Sequence, residues 1–208
     1  MSAEAHTARR RRSDGERSRQ AILREAARLA TVDGIDGLSL GRLADAVGMS
    51  KSGLFAHFKS KEELQLATIA AADDIFEEVV VVPAMRADPG VPRLEAFADR
   101  FIAHLRDEVF PGGCFFASAA VELGPRQGPV RDSALAVLVR WSGLLHAEVA
   151  QAQADGEIDA SLDAGQVAFE LNAFLLLANA QFIAGGGAEL PLERAQTAFA
   201  TRLSAARP

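Results

Sequence analysis

Residues 39–64, SLGRLADAVGMSKSGLFAHFKSKEEL, gather the side chains whose types and spacing carry chemistry. At 100° per residue, Leu54 and Phe58 fall on one face of a short helix, while Ser52, Gly53, Phe55 and Ala56 lie on or near the opposite one. The inward face is apolar and the outward face small, as a helix needs if its backbone is to come close to base-pair edges. Lys51 stands in the first turn, where a helix N-terminus meets the major groove and its phosphates. Its ammonium can reach the O6 and N7 acceptors of a guanine, or a neighbouring phosphate oxygen. The chemistry expected is hydrogen bonding and ion pairing to duplex DNA.

Stepping outward, the flanking residues supply the elements that would hold this face. Ser39 can cap a helix whose apolar positions are Leu40, Leu43, Ala44 and Val47, a three-four spacing that buries one side. Gly48 suits a left-handed stop, Met49 tucks inward, and Ser50 caps a second helix running to about Phe58. Lys59 and Lys61 follow, and Glu62, Glu63 and Leu64 open a longer helix. An ordinary helical hairpin would show the same two-helix pattern, but three features set this one apart. An amphipathic helix over about 16–31 precedes it, with Ile22, Leu23, Ala26, Ala27, Leu29 and Ala30 inward. GIDGLS makes a tight corner, and Arg9–Arg12 with Arg17 and Arg19 form a basic arm. Such an arm reads as a disordered tail that can order against phosphates or the minor groove.

In this order and spacing the N-terminal part resembles the DNA-binding domain of the TetR family of bacterial transcriptional regulators. The matching elements are ILREAARLATVDGIDGLSL, LADAVGMSKSGLFAHF and KSKEEL, within roughly residues 18–77. The resemblance implies that the third helix is the recognition helix. Lys51, Ser52, Gly53, Phe55 and Ala56 would then contact the groove, and His57 and Lys61 the phosphates, with Ser39, Arg42 and Ser50 completing the DNA-binding set. The family usually has a tyrosine where Phe55 stands, so a hydroxyl contact to phosphate is missing. Gly41 offers no side chain where some members read a base, which gives Lys51 a larger share of direct readout. The implied fold is all-α, with a basic arm at 1–15, a three-helix DNA-binding domain with its helix-turn-helix at 16–62, and a helical ligand-binding and dimerisation domain at 63–208.

Charge divides the chain the same way. The whole carries net −6, yet residues 1–61 hold 12 Lys plus Arg against 7 Asp plus Glu, while residues 62–208 hold 10 against 21. Basic character is confined to the DNA-facing end, as an electrostatic footprint requires. With 49% hydrophobic residues the chain can bury a substantial core, and its turn clusters separate long apolar-periodic segments in an all-helical profile. The sequence shows no signal-peptide apolar region and no run approaching ~20 uninterrupted apolar residues, so a cytoplasmic protein with no membrane partner is expected. One cysteine excludes an intrachain disulfide and argues against a structural zinc site; no metal and no cofactor are expected.

Beyond the motif, helices are expected over about 61–82, 91–109, 114–123, 130–154, 163–184 and 192–205, with Asp163 or Ser161 capping the fifth of these. The 163–184 segment is apolar almost all round and must be buried on more than one side. It is either the central helix of a monomeric bundle or, with the last helix, a homodimer seam, for which Leu171, Leu175, Phe182, Ala195 and Phe199 are the candidates. Family resemblance favours the seam, and two recognition helices on a two-fold axis would read a palindromic operator. Phe97, Phe101, Phe115, Phe116, Trp141 and Phe169 either line an effector pocket or form core, with His104 and Asn172 as polar handles. His104 and His146 also read as surface or locally hydrogen-bonded residues. Cys114 follows a Pro-Gly-Gly break at a helix start, where its thiol is either activated by the dipole or buried and inert.

These observations point to a dimeric transcriptional repressor that binds double-stranded DNA and is released by a small apolar effector. Two alternatives stand beside it. One is a regulator controlled by a protein partner or by oxidation of Cys114. The other is an enzyme with Cys114 as nucleophile and His104 or His146 as base, which no Gly-rich phosphate loop, G-x-S-x-G, H-E-x-x-H or paired-cysteine motif supports.

Overall fold

The computed structural model describes residues 3–124 and 126–208, with side chains from Gly15 onward. The arginines at 9–12 therefore lie outside the described side chains, as does the rest of the basic arm up to residue 14. The described residues are helical throughout and contain no strand.

Three serines punctuate the N-terminal third. Helix α1 (Ala3–Asp33) starts earlier than the expected residue 16 and ends at Gly34, whose φ of +79° turns the chain into the corner before α2 (Leu40–Ala46). Ser39 accepts a hydrogen bond from the Arg42 N–H at 3.3 Å, and Ser50 accepts one from Gly53 at 3.1 Å to start α3 (Lys51–Phe55). Ser60 does the same for Glu63 at 3.0 Å at the head of α4 (Lys61–Phe76), while the Glu63 carboxylate accepts the Lys59 N–H at 2.9 Å. Each cap satisfies a donor the helix itself leaves open. Gly48, at φ +66°, makes the tight turn between α2 and α3. The latter is shorter than expected, because the chain leaves the helix at Ala56 and turns through His57.

Helix α4 runs into a π-helical turn, Glu77–Val81, and then α5 (Val82–Ala84). Next come α6 (Val91–Arg106), α7 (Phe115–Leu123), α8 (Pro129–Ala154), α9 (Ala164–Ala184) and α10 (Leu190–Ala205). Asp163 is the cap of α9, accepting from Gln166 at 2.7 Å. Helix α6 stops at Arg106, short of Val109, where Glu108 takes φ +46°.

Two apolar cores result. The smaller joins Ile22, Leu23 and Ala26 of α1 to Leu38, Leu43, Ala44, Leu54, Phe58 and Leu64. The larger runs from Ala27, Ala30 and Ile35 through Ile69, Ala72 and Phe76 to α10. Helices α1 and α4 enter both, so they tie the DNA-facing part to the rest.

Leu171, Leu175, Phe182, Ala195 and Phe199 are all buried inside this one chain, where they join α9 and α10 to the larger core. The seam expected from them is corrected: they face inward. The periodicity was compatible with both sides of α9 being apolar, and it could not say which side the chain covers itself. What α9 leaves open is its opposite face, with Phe169 69%, Leu177 58% and Ile183 38% exposed. By length and hydropathy α9 alone among the described helices could cross a membrane, although its buried face packs in the bundle and Glu170 pairs with Arg202 of α10.

Candidate nucleic-acid interface and effector cavity

The outward face of α3 follows from its packing. Leu54 and Phe58 are fully buried, so Lys51, Ser52, Phe55 and Ala56 are turned to solvent, with Phe55 54% exposed. Gly53 is half-buried beside the Ser50 hydroxyl, which also lies 3.2 Å from that of Ser52. A Cβ built on Gly41 would lie 3.4 Å from Cε and 3.6 Å from Nζ of Lys51. The lysine thus lies directly beside the position where a side chain at Gly41 would begin.

The other expected DNA contacts are placed nearby, with their own partners. Arg42 pairs with Asp33 at 2.8 Å and remains 60% exposed. Lys61 donates from Nζ to the Asp36 carbonyl at 2.6 Å, and His57 is half-buried with its ring 6.3 Å from that of Phe58. Arg19 lies over the Phe58 ring at 4.8 Å, a cation–π contact that ties the middle of α1 to the turn after α3.

In the C-terminal part the candidate residues separate into three groups. Phe101, Cys114, Phe116 and Trp141 line a small, partly open apolar cavity, together with Phe76, Ala117, Val137, Leu138 and Leu176. Its volume is about 10 Å³, room for roughly one water. Phe97, Phe115 and His104 belong to the surrounding core: Phe97 packs edge-on to Trp141 at 5.4 Å, and Phe115 packs against Phe116 at 5.1 Å. Phe169 and Asn172 are elsewhere, in an open groove between α8 and α9 with Ser142, Gly143, His146, Gly165 and Ala168. Phe169 thus lies in a groove between helices, 69% exposed, and apart from the Trp141 cavity. Asn172 reaches the cavity wall only indirectly, by accepting the Trp141 indole N–H at 2.9 Å.

His104 also departs from expectation. It is 3% exposed, not on a helix surface, and neither Nδ1 nor Nε2 has a hydrogen-bond partner among the described residues. Other buried polar side chains are satisfied: Glu148 by Gly90 and Arg93, Asn179 by the Cys114 N–H, Gln65 by the Ile35 carbonyl and Thr68 by that of Leu64. The imidazole is instead ringed by Phe76 at 5.9 Å, Phe110 at 5.5 Å and Phe101 at 6.2 Å. Burial lowers its pKa to about 4 against the opposing pull of Asp107, so it is neutral at pH 7. Cys114 is buried as well, and burial pushes its thiol pKa up, which makes it the inert alternative and removes the basis for activation by the helix start.

Two functional residues were missed by the sequence reading. Phe76 is the hub of the cavity, with rings of Phe101, His104, Phe116 and Trp141 all within 6.4 Å. Its signal was the Ile69, Ala72, Phe76 spacing on the inner side of α4, hidden by acids on either side. Glu122 is the lone charge of α7, and that isolation in an apolar helix was the available clue. Its carboxylate accepts the N–H groups of Ile35 and Asp36, both at 2.8 Å, in the corner between α1 and α2. Arg126 pairs with Asp36, and Gln65 of α4 donates to the Ile35 carbonyl at 3.0 Å. A Cβ on Gly34 would come within 2.9 Å of the carboxylate, so the approach requires glycine there.

A capped helix-turn-helix with a basic, small-residue outer face, carried on a larger helical domain, defines a helix-turn-helix transcriptional regulator. Residues 22–68 match the family described as bacterial regulatory proteins, tetR family, and residues 90–199 match the tetracyclin repressor-like C-terminal domain. The chain belongs to the TetR family of DNA-binding transcriptional regulators, and the reading of Cys114 as a catalytic nucleophile falls with that assignment. It is similar to the HTH-type transcriptional regulator TcmR of Streptomyces glaucescens, 33% identical over 89 residues, a match that spans 43% of this chain and 38% of that protein. A TetR transcriptional regulator from Chloroflexus aurantiacus J-10-FL shares the fold with a TM-score of 0.84 at 28% identity, over 92% of this chain and 96% of that one. AibR, solved in complex with isovaleryl coenzyme A and operator DNA, gives 0.69 at 26% identity, over 86% and 94% of the two chains.

Proposed function

We propose that the protein is a dimeric repressor that holds a palindromic operator in its ligand-free form and releases it when a small apolar effector opens the cavity around Trp141. The observation that carries this reading is the position of α7. Cys114, Phe116 and Ala117, at and near its start, form cavity wall, while Glu122 near its end grips the α1–α2 corner. An effector that shifts α7 therefore acts directly on the segment that orients the helix-turn-helix. By linkage it weakens DNA binding only by its difference in affinity for the two arrangements, typically ~1–3 kcal/mol. AibR, a related fold solved in complex with isovaleryl coenzyme A and operator DNA, supports a ligand site and a DNA site on one chain.

The second copy is assigned to the exposed face of α9. Phe169, Leu177 and Ile183 are large apolar side chains on a helix whose other side is already buried, and a face of this kind is covered by a partner rather than left to water. Dimerisation doubles the sequence read by one α3 and fixes the half-site spacing. A regulator of this kind would work beside its DNA, in the cytoplasm.

Binding-site selection from genomic DNA, followed by operator titrations with apolar compounds, tests the reading. A palindromic site whose occupancy falls on adding a compound that also perturbs Trp141 fluorescence is the expected result. Binding of a single half-site by a monomer, or an operator complex indifferent to every compound that enters the cavity, would overturn it.

A further inference from the structure

His104 and Phe76 carry an inference about the chemistry of the effector, resting on the reading of the Trp141 cavity as the effector site. We propose that His104 is the hydrogen-bonding anchor for an uncharged, hydroxyl-bearing aromatic effector, which enters by displacing the ring of Phe76. The cavity in its closed form is too small for any such molecule, so a side chain must move. Phe76 and Phe101 both touch the cavity and the imidazole, and Phe76 is the nearer of the two to each, 5.3 Å from Trp141 on the cavity side and 5.9 Å from His104 behind it, against 6.1 and 6.2 Å for Phe101. Phe76 is also the last residue of α4, directly before the π-helical turn Glu77–Val81. A π-turn is a local change of hydrogen-bond register inside a helix and recurs at functional sites. Rotation of Phe76 there joins the cavity to the imidazole.

The walls and the anchor then select the ligand. Phe101, Phe116 and Trp141 offer ring faces and edges, which suit an aromatic body. The neutral imidazole offers one N–H donor and one lone pair, both without partners in the closed state. A phenolic hydroxyl can donate to the lone pair or accept from the N–H, and it restores a bond whose absence is costly in so apolar a place. A carboxylate finds no cation there, because His104 is neutral and the charge acting on it is that of Asp107. Acyl groups with phosphorylated carriers meet the same obstacle in a domain rich in acids.

Three small probes separate the possibilities: 4-ethylphenol, ethylbenzene and 4-ethylbenzoate, titrated into the full-length protein. Binding is read from the fluorescence of Trp141, the chain's one tryptophan, and by calorimetry. The phenol is expected to bind about tenfold more tightly than ethylbenzene, the worth of one buried hydrogen bond, and the benzoate more weakly than either. In His104→Phe and His104→Leu the phenol's advantage should vanish while ethylbenzene affinity stays within about threefold. In the wild type, the phenol alone should shift an imidazole nitrogen resonance of His104, a readout that needs no variant to fold. An unchanged phenol preference in the variants, an unmoved resonance, or tightest binding of the benzoate overturns the anchor while leaving the cavity intact. If none of the three perturbs Trp141, the cavity reading itself falls, and the anchor with it.

Discussion

The two ends of α4 serve opposite requirements. At Lys61 the helix leaves a reading head whose working groups are exposed, and at Phe76 it enters a sensor whose working groups are sealed away. In the reading head a few buried anchors, Leu54 and Phe58, turn the rest of α3 outward, and short serine caps fix where each helix begins. In the sensor nothing local decides which aromatic does what, because Phe76, Phe101 and Trp141 acquire their roles only from one another. Function written on a surface depends on what a helix leaves uncovered, and function written in a core depends on which distant segments meet.

The sharpest way to break that contrast is on α9, where about half a turn separates the two kinds of position. Leu175 is fully buried and Leu177 is 58% exposed. Leu175→Glu puts an unpaired carboxylate in the core and should cost roughly 4 kcal/mol, enough to unfold much of the domain. Leu177→Glu should keep the helical circular dichroism but sediment as a monomer and lose operator affinity. Thermal melts with sedimentation velocity check both. A Leu175→Glu protein that stays folded and turns monomeric would return the seam to the inner face of α9.

Acid provides the next largest effect. Folding holds His104 neutral down to about pH 4, while the unfolded chain takes up that proton from about 6.5. Between those values the unfolded state binds more protons, so its share grows as the pH falls, and stability present above 6.5 is lost on the way to 4. The size is about 3 kcal/mol. His104→Leu should remove this part of the acid sensitivity and, by deleting two unsatisfied nitrogens, raise stability at pH 7 by about 1 kcal/mol. Equal acid profiles for wild type and variant, from denaturant melts at several pH values, would mean that the imidazole has a partner.

Glu122 tests whether the two regions are coupled at all. Glu122→Gln keeps one carbonyl acceptor but turns an amide N–H₂ toward the second backbone donor, losing roughly 2–3 kcal/mol of charge-assisted bonding at the corner. Operator binding should weaken in the ligand-free protein, and the response to cavity ligands should shrink, while Trp141 still reports their binding. Full operator response in this variant would show that the signal travels through α4 alone.

How much of this was legible beforehand follows the same division. The order of helices, the caps Ser39, Ser50 and Asp163, and the burial of Leu54 and Phe58 were all visible, because they depend on neighbours three or four residues away. Phe101, Cys114, Phe116 and Trp141 do border one cavity, but the sequence offered them among others that lie in the surrounding core. Phe169 lies in a separate groove between α8 and α9, and the inner and outer faces of α9 were exchanged. An all-apolar helix carries no phase information, and only the positions of α8 and α10 settle which side is covered. Glu122 and Ile35 are 87 residues apart, and no pattern in either segment announces that they meet.

The smallest effects separate two lysines that the sequence treats alike. Lys51 stands beside Gly41 at the start of α3 with no anion or carbonyl holding its ammonium among the described residues, whereas Lys61 already donates to the Asp36 carbonyl. Lys51→Ala should weaken operator binding by roughly 1–2 kcal/mol, leave binding to random DNA almost unchanged, and relax preference at one position in each half-site. Lys61→Ala should cost less than about 1 kcal/mol on any DNA, because its cationic contribution to phosphate binding carries no sequence information. Competition titrations against operator and random duplexes at several salt concentrations distinguish them. The salt slope should fall by up to about one unit for Lys61 and stay put for Lys51. Equal losses of Lys51→Ala on both duplexes would reassign it to a phosphate, and the reading of bases would pass to the backbone and small side chains of α3.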